Sequence, residues 1–533
     1  MKSSLFFFFF IVFTSYAQNV SSSILDHNNI SANINNPNSF FDGSNNDGLP
    51  GYEIPKGSGR HTIYSAHLSV GAEDINGATY VSSSIYEQTE WTSGWFFGPI
   101  ANASAYSSTQ YYNLYHNSIW EISTNEITEH VQNYEQPNYV IPEAILEWTG
   151  NGNTSLGIAH DLAPYVDVNN DGYYTPLEGD YPEIRGDKAV YVIINDQSTN
   201  PDDNALGIEV HLMFYQYHTG NYLSNTTFLN TRVFNRSSRD YFNFKESILM
   251  DGDIGFYFDD YLGCNSRKNL AYFYNGDMID ESDGGTLGYG ENPPCQGLMS
   301  LSHDMSSFVV FSSQPSWDSI SGYSNENADE QLWNHMNGNN YNGIPFSSGC
   351  SPLDSSESGI TSLYHFDGNP YTNQGISEIE CGTPSGDRRG IFTISENSFP
   401  KNTSICTDFA FIYDRSGGFL ENVNNVINIA GAMRNLYESN FSFPCELTNF
   451  NQLPENQNLS FEVYPNPNNG LFNVQFDSDA LKKIQIKDSK GRLIDMIETH
   501  LNTQVLELNV QSGIYFIEVS SENRIGIKRI IIE

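Results

Sequence analysis

The sequence predicts a mainly β protein: a sheet-rich, β-sandwich-like body with a few short helices, and a small Ig-like β-sandwich at the C-terminal end. Short β-branched and aromatic segments recur from Thr62 onwards, and clusters of Asn, Gly and Asp separate them. The chain has 533 residues, and its 34 Phe, 33 Tyr and 6 Trp can fill sizeable cores. Its 38% hydrophobic residues and 43 Gly are typical of a globular protein, which excludes a largely disordered chain.

The strongest strand patterns lie in six segments of the body. They are residues 79–81, 189–194, 208–217, 228–234, 308–311 and 408–413. Helices are few. Ser123 and Glu126 fit a capping box, a short helix is expected around Trp333, and residues 421–439 carry apolar side chains at helical spacing. We expect the apolar face of this last helix to pack against a sheet.

The charge balance excludes one class of partner. The chain carries 24 Lys and Arg against 64 Asp and Glu, a formal net charge of -40. Such a polyanion repels phosphate backbones, so nucleic acid is excluded as a partner, and binding to an anionic membrane surface is disfavoured. Clustered carboxylates do attract divalent cations.

Composition divides the chain into five segments. Residues 1–17 are typical of a secretory signal with cleavage between Ala17 and Gln18, because Lys2 precedes an apolar core from Leu5 to Phe13. That core is too short to span about 30 Å of hydrocarbon. We expect an Asn/Ser/Gly-rich loose or extended arm over residues 18–58, a sheet-rich body of one or two subdomains over residues 59–450, a polar linker over residues 451–458, and a separate module over residues 459–533.

The cysteine pattern favours disulfides. The six cysteines are Cys264, Cys295, Cys350, Cys381, Cys406 and Cys445, and none forms a Cys-x-x-Cys pair. An exported chain with an even count favours disulfide bonds over metal ligation. The pairing stays open, and six unpaired buried thiols are the alternative.

Residues 167–178 match the spacing of a calcium-binding loop. The ligands would be Asp167, Asn169 and Asp171 by side-chain oxygens, Tyr173 by its backbone carbonyl, Thr175 through water and Glu178 by two oxygens. Gly172 permits the sharp turn, and hard oxygen ligands favour Ca²⁺. Pro164 and Pro182 exclude flanking helices, so we expect an isolated structural loop, as in dockerin-like or thrombospondin-like repeats. A solvated acidic turn is the alternative.

A second acidic cluster holds four aspartates. Asp251 and Asp253 precede Asp259 and Asp260. Their spacing fits no known calcium loop, so a turn between strands is the favoured interpretation and a shared cation is the alternative.

The C-terminal module contains an ordered set of motifs. These are Tyr464, Pro465, Asn466 and Pro467, then Gly470, then Asp488, Gly491 and Arg492, then Gly513 and Tyr515, and finally Lys528. The spacing predicts about seven short strands, enough for a small sandwich. With these motifs, residues 459–533 resemble the type A C-terminal sorting domain of the type IX secretion system of Bacteroidota.

This resemblance implies two-step export. The signal peptide would cross the inner membrane, and the type IX machinery at the outer membrane would then recognise the C-terminal module. In the family the module is usually cleaved, and the cargo is released or attached to a surface glycolipid, which places the protein outside the cell or on the outer-membrane surface. The alternative is an ordinary Ig-like module used for rigidity or binding.

The body is similar to a group of large uncharacterised proteins that carry the same sorting module. The similar motifs lie before the calcium-like loop, at residues 141–145, and after it, at residues 179–187, 225–228, 235–238, 259–264 and 386–389. No activity is assigned to that group, so this resemblance implies a shared fold without a reaction.

No catalytic motif is evident in the sequence. We find no His-Glu-x-x-His, Gly-x-Ser-x-Gly or phosphate-binding glycine motif, and a structural ion pair is the favoured interpretation of residues 387–389. We therefore expect a surface or matrix protein with a binding, adhesion or structural role, for example towards glycans or other cells. The alternative is a secreted polysaccharide-directed glycosidase with an unrecognised carboxylate pair.

Overall fold

The computed structural model describes residues 23–34, 39–43, 50–83, 94–115, 118–197, 205–312, 328–351, 359–439, 461–476, 480–488, 493–508, 510, 512–521 and 524–532. The chain divides into two compact units, Met1–Leu447 and Thr448–Glu533. The signal peptide with Ala17 and Gln18, the linker at residues 451–458, and Gly491 and Arg492 of the sorting motif lie outside the described residues.

A nine-stranded antiparallel sheet forms the larger layer of the body. In spatial order it contains β15 (Asp260–Asn265), β16 (Leu270–Asn275), β19 (Cys295–Ser300), β24 (Ser404–Asp414), β13 (Thr226–Asn235), β12 (Ile208–Gln216), β11 (Lys188–Asn195) and β7 (Phe96–Phe97), with β8 (Ile119–Ser123) also paired to β11. All six predicted segments lie on strands of this sheet or of the second large sheet of the body, at or near the predicted limits. Long runs of buried residues along β11 and β12 show that both faces of this sheet are covered.

A five-stranded antiparallel sheet packs against the first layer. It contains β20 (Met305–Ser312), β23 (Arg388–Phe399), β14 (Tyr241–Asp251), β5 (Ser65–Asp74) and β6 (Thr79–Ser83) in that order. The core between the layers is largely aromatic and aliphatic, and the rings of Phe392 on β23 and Phe409 on β24 lie 6.2 Å apart across it. Fully burying each large apolar side chain contributes about 1.5–3 kcal/mol. The predicted mainly β, sandwich-like body is confirmed.

The expectation of a loose arm over residues 18–58 is wrong for its described part. A four-stranded sheet begins there, with β1 (Ser23–Leu25), β2 (Ser31–Ile34), β3 (Tyr52–Glu53) and β4 (His61–Ile63). Leu25, Phe41 and Tyr52 are fully buried in the main core. Asn28 has a structural role, because its Nδ2 donates to Thr226 O at 2.9 Å and so fixes the segment to β13.

Seven α-helices lie within the described residues. They are α1 (Ala103–Tyr106), α2 (Thr109–Tyr115), α3 (Thr124–Asn133), α4 (Glu143–Leu146), α5 (Ala328–Met336), α6 (Glu378–Cys381) and α7 (Phe419–Ser439). The capping box of Ser123 and Glu126 at α3 is confirmed, and so is the docking of α7, which packs on β16, β19 and β24. No helix in the described ranges has the length and apolarity that crossing a bilayer requires.

The cysteines are only partly oxidised. Cys350 and Cys381 form a disulfide with a Cα–Cα distance of 5.3 Å, and Cys406 is also disulfide-bonded. Cys264 and Cys295 are fully buried free thiols on β15 and β19. The expectation that all six cysteines pair is therefore wrong for these two, because they serve as small apolar core residues.

The C-terminal unit is a small sandwich of two sheets. One contains β25 (Phe461–Tyr464), β26 (Leu471–Phe476) and β29 (Thr503–Glu507), and the other contains β28 (Leu493–Thr499), β27 (Lys482–Asp488), β30 (Gly513–Ser521) and β31 (Arg524–Ile532). Alternating side chains such as Phe472, Val474, Ile484 and Ile486 fill the space between them. These seven described strands confirm the predicted small β-sandwich.

Candidate functional site

Four of the predicted ligand residues are linked by hydrogen bonds within the loop. Asn169 Nδ2 donates to Asp171 Oδ2 at 3.1 Å and to Glu178 Oε2 at 2.5 Å. Asp167 accepts from the backbone N–H groups of Asp171 at 3.3 Å and of Gly172 at 2.7 Å. The chain is therefore folded back on itself here, with Gly172 at φ +83° supplying the sharp turn.

Asp180 holds the two ends of this loop, although the sequence pattern did not include it. Its Oδ1 accepts from Val168 N at 2.8 Å and its Oδ2 from Thr175 N at 2.7 Å. The residue is fully buried. The backbone of Thr175 is thus fixed beside the site, while the Tyr173 side chain points away, 60% exposed and with its ring 5.2 Å from that of His160.

A short two-stranded sheet carries the loop. It consists of β9 (Tyr165–Val166) and β10 (Tyr181–Pro182), which pair antiparallel on either side of the loop. Glu183 N donates to Pro164 O at 3.0 Å and closes the base of this hairpin. As expected from the prolines, the described flanks contain no α-helix, and the C-terminal end of the loop forms a single 3₁₀ turn at Pro176–Glu178.

The donor set fits Ca²⁺ on charge and chemistry. Asp167, Asp171 and Glu178 form no ion pair with a basic residue of the described chain. The amide of Asn169 places a polar hydrogen between the carboxylates of Asp171 and Glu178, which is the position a cation would take, and rotation of that amide would turn its oxygen inward. The three carboxylates, the Asn169 oxygen and the Tyr173 carbonyl are hard ligands, which Ca²⁺ prefers.

The second acidic cluster fits a cation less well. One oxygen from each of Asp251, Asp253 and Asp387 lies within 4.8 Å of the others. Arg389 already occupies this cluster, with Nε 3.1 Å from Asp251 and Nη1 2.9 Å from Asp387. Burial and the neighbouring aspartates Asp251 and Asp387 raise the pKa of Asp253 well above its usual value.

The other two aspartates of the predicted cluster lie outside that group of three. Asp260 is fully buried and accepts from Ile254 N at 2.9 Å. Burial raises the pKa of Asp259 to about 7, with a further contribution from Asp280. These contacts favour the interpretation of a turn packed between strands.

The Asp387-Arg388-Arg389 segment forms structural ion pairs. Arg388 and Glu378 are both fully buried, and Arg388 Nη2 lies 2.9 Å from Glu378 Oε2. With Arg389 bound to Asp251 and Asp387, both guanidinium groups have acidic partners inside the body.

A small cavity with both polar and apolar lining residues lies on the outer face of the nine-stranded sheet. Neighbouring strands contribute Tyr191, His211 and Asn230 to its floor, and the flanks of the calcium-like loop contribute Pro164 and Glu183 to its wall. The sequence did not reveal this cavity, because its residues meet only through the order of strands in the sheet.

A buried hydrogen-bonded chain ends at this cavity. Tyr191 Oη lies 2.7 Å from His211 Nδ1, and His211 Nε2 lies 3.0 Å from Glu209 Oε1, which also accepts from Arg236 at 2.8 Å. Burial lowers the pKa of His211, which keeps the ring neutral. Burial also opposes ionisation of Glu209, but His211 and Arg236 outweigh it and lower the Glu209 pKa to about 2. Neutral His211 therefore donates through Nε2 to Glu209 and accepts the Tyr191 hydroxyl hydrogen at Nδ1.

Glu183 lines the same cavity, and its carboxyl has a raised pKa. Its Oε2 is buried and has no hydrogen-bond partner within the described chain. Burial raises the pKa of Glu183 to about 7, against the opposing charge of Arg185. Perturbed carboxyls in cavities are candidates for ligand contacts.

The described sorting-motif residues lie on and between the strands of the C-terminal sandwich. Tyr464 ends β25 and donates to Gln475 Oε1 at 2.9 Å, and Asn466, between Pro465 and Pro467, accepts from Ile531 N at 2.8 Å. Lys528 Nζ donates to Glu462 Oε1 at 2.9 Å.

The remaining described motif residues are Gly470, Asp488, Gly513 and Tyr515. Gly470 has φ +97°, and a Cβ there would lie 2.4 Å from Leu508 O, so the turn requires glycine. Asp488 on β27 lies opposite Tyr515 on β30, whose ring is buried in the core, and Gly513 begins β30.

Comparison with known proteins assigns the C-terminal unit. Residues 462–533 match the secretion system C-terminal sorting domain. No curated protein matches the chain. Among solved structures, a polysaccharide lyase is 6% identical over 66% of this chain and 37% of its own length, with a TM-score of 0.19. This chain thus spans 37% of that lyase, and the likeness carries no statement about activity. Residues 462–533 form a secretion system C-terminal sorting domain, and the chain is one of the proteins that carry this domain for export by the type IX machinery to the cell surface or the medium.

Proposed function

We propose that this protein is a calcium-stabilised β protein with a binding or structural role outside the cell. The observation that carries the proposal is the folding of the loop on its own predicted ligands: Asn169 bonds to Asp171 and Glu178, and buried Asp180 accepts from the backbone of Val168 and Thr175. A cation bound by the three carboxylates would offset their mutual repulsion. The ion would brace the β9–β10 hairpin, with the Tyr173 carbonyl and the water-bridged Thr175 completing its shell.

Thermal unfolding with and without calcium tests this role. Extracellular calcium modules bind with Kd on the order of 10⁻⁴ to 10⁻³ M. Calcium at roughly 100 times Kd stabilises the folded state by about 2.7 kcal/mol. A unit the size of Met1–Leu447 unfolds with about 0.9 kcal/mol per K of entropy, so we expect a rise of about 3 °C in Tm.

The matched pair of variants is Asp167→Asn and Asp74→Asn. Asp74 also accepts backbone N–H groups in an exposed turn, at 2.8 Å from Asn76 N and 2.9 Å from Ala78 N, but it belongs to no calcium-like loop. We expect Asp167→Asn to abolish the calcium-dependent rise and Asp74→Asn to retain it. An unchanged response in Asp167→Asn would exclude the loop as the calcium site.

The proposal places the protein at the cell surface or in the medium by two steps. A signal peptide at residues 1–17, cleaved between Ala17 and Gln18, would direct the first, and the C-terminal domain the second. Removal of that domain would then release the body or attach it to a surface glycolipid. A chain lacking residues 459–533 should accumulate in the periplasm, and normal arrival of that chain at the surface would contradict the proposal.

The binding role is supported by the cavity beside the loop, which combines apolar walls with a small number of fixed polar groups. Glycans or other groups on neighbouring cells are the proposed class of ligand. The second candidate function is a polysaccharide-directed glycosidase, and the observation that favours it is the Glu183 pKa of about 7, a value suited to a general acid. Release of reducing ends from polysaccharide that disappears in Glu183→Gln would favour this candidate.

A further inference from the structure

The end strand of the nine-stranded sheet is covered along its outer edge. Among the described strands, β15 pairs with β16 alone, and its outward-facing backbone groups bond to a segment much later in the chain. Cys264 N donates to Phe366 O at 3.0 Å, and Leu262 N donates to Glu378 Oε1 at 2.9 Å. Residues 359–388, which we call the strap, therefore lie where a further strand would lie.

The cover reaches both ends of the strand. At one end Ser266 N donates to Asp367 Oδ1 at 2.9 Å, and at the other Gly386 N donates to Asp260 O at 3.0 Å. The covered positions of β15 alternate along the strand, as expected for the positions that face away from β16 in an antiparallel pair. An uncovered edge offers its N–H and C=O groups to a strand of another chain. The strap therefore removes a site of strand pairing.

A disulfide closes the strap into a ring. Cys381 lies in the strap at the end of α6 and is bonded to Cys350, with a Cα–Cα distance of 5.3 Å. Ser348 N donates to Ile360 O at 2.7 Å, so the segment before Cys350 also holds the beginning of the strap. The ring of residues 350–381 therefore contains the two strap acceptors that bond to the N–H groups of β15.

The disulfide and the thiol beneath the strap differ in exposure. Cys350 and Cys381 are half-buried, so a small thiol reagent can reach their bond. Cys264 is a fully buried free thiol on the covered strand, and its Sγ donates to His365 O at 3.2 Å within the strap. Opening of the strap would therefore remove the cover from the Cys264 thiol.

The disulfide acts on the open form of the strap more than on the closed form. The closed strap is also held by Phe366, which is buried in the main core, and by the buried ion pair of Glu378 with Arg388 on β23. These contacts persist when the disulfide is cut, so the closed strap remains the stable form. An intact ring limits the freedom that the strap gains on opening, and loss of this constraint makes opening more frequent.

We propose that the Cys350–Cys381 disulfide is a redox-dependent lock on the strap: the oxidised form holds the strap over β15, and the reduced form lets the strap release that edge. A dithiol reductant opens the lock. Two electrons and two protons convert the S–S bond into two thiols, while the reductant becomes a disulfide, and a disulfide-bearing oxidant reverses the step. Because the sorting domain directs the chain out of the reducing cytoplasm, the lock closes during or after export. The lock involves no residue of the calcium-like loop, so it is independent of the proposed function.

Thiol labelling of the folded full chain tests the lock. The variant Cys350→Ser with Cys381→Ser represents the reduced form without adding new thiols, and Cys295, a fully buried free thiol on β19, is the internal control. The oxidised wild type and the variant are incubated with excess maleimide, and the modification of each cysteine is followed by peptide mass spectrometry. We expect Cys264 to react about 30-fold or more faster in the variant, as is typical of the loss of a disulfide that closes a ring of this size. The rate at Cys295 should change much less.

The outcomes separate opening of the strap from a general loss of stability. An unchanged rate at Cys264 would overturn the lock, and so would equal acceleration of Cys264 and Cys295, because global unfolding exposes both thiols. If the variant does not fold, wild-type protein that has been reduced with dithiothreitol and freed of it without air gives the same comparison, and labels on Cys350 and Cys381 then show that the lock has opened.

Discussion

Replacing Glu246 by glutamine tests how the two sheets of the body are joined. Glu246 lies on β14 of the five-stranded sheet and is fully buried. Its Oε1 accepts from Thr231 Oγ1 at 2.5 Å and its Oε2 from Thr407 Oγ1 at 2.7 Å. These threonines lie on β13 and β24 of the nine-stranded sheet, so one carboxyl bridges the two layers. Burial raises the pKa of Glu246 to about 7, although both hydroxyls lower it.

The raised pKa determines the sign and size of the effect. The folded state binds the Glu246 proton more tightly than the unfolded state, whose pKa is near the model-compound value of 4.5. The contribution to stability is therefore fully present below pH 4.5 and is lost as the pH rises through 7. A shift of about 2.5 units corresponds to about 3 kcal/mol. Glutamine stays neutral and can still bond to both hydroxyls, so it should stabilise the protein by up to about 3 kcal/mol above pH 7 and by little near pH 4.5.

Denaturant unfolding of the wild type and Glu246→Gln across this pH range provides the measurement, with exposed Glu129→Gln as the control. The free-energy difference between Glu246→Gln and the wild type should grow with pH, and that between Glu129→Gln and the wild type should stay near zero. A pH-independent difference for Glu246→Gln, or a loss of stability at high pH, would refute the assignment of Glu246 as a protonated bridge.

Two further substitutions test buried polar contacts. Asp180→Ala removes the acceptor of the Val168 and Thr175 N–H groups, so we expect the free energy of unfolding to fall by about 1–3 kcal/mol and calcium binding to weaken. Exposed Asp161→Ala is the control. Unchanged calcium affinity of Asp180→Ala by calorimetry would argue against the role of Asp180 in holding the loop. Glu378→Ala leaves the Arg388 guanidinium buried without its carboxylate, so we expect the free energy of unfolding, measured with denaturant, to fall by about 3–5 kcal/mol. The double variant Glu378→Leu with Arg388→Met should recover most of this loss. A double variant as unstable as Glu378→Ala would contradict the ion-pair explanation.

Local patterns predicted those parts of the fold that depend on neighbouring residues. The capping box at Ser123 and the apolar spacing along α7 (Phe419–Ser439) are properties of adjacent turns, and the structure shows both. The polar segment before Gly57 is ordered, contrary to expectation, because most of its described apolar side chains are buried. Phe41 illustrates this: its ring packs 5.0 Å from that of Phe411, a contact across hundreds of residues that composition cannot indicate.

The same distinction separates the two candidate sites. Twelve consecutive residues encode the calcium-like loop, so spacing alone indicated it. Asp180 follows that motif, and its role depends on the pairing of β9 and β10, which are too short to predict. The cavity needs Tyr191, His211 and Asn230 on three neighbouring strands.

The structural context of the loop explains how an ion there can act at a distance from its ligands. In a helix-loop-helix site, ion binding changes the angle between two helices. Here Pro164 and Pro182 exclude such helices, and the loop instead joins two strands of two residues each. A hairpin this short is marginal by itself, so its order depends on the Asp180 contacts and, under the proposed function, on a bound ion. Since the base of the hairpin carries Glu183 beside Pro164, ordering the loop also positions the Glu183 side chain. Bound calcium would thus stabilise the segments beside the cavity without lining it.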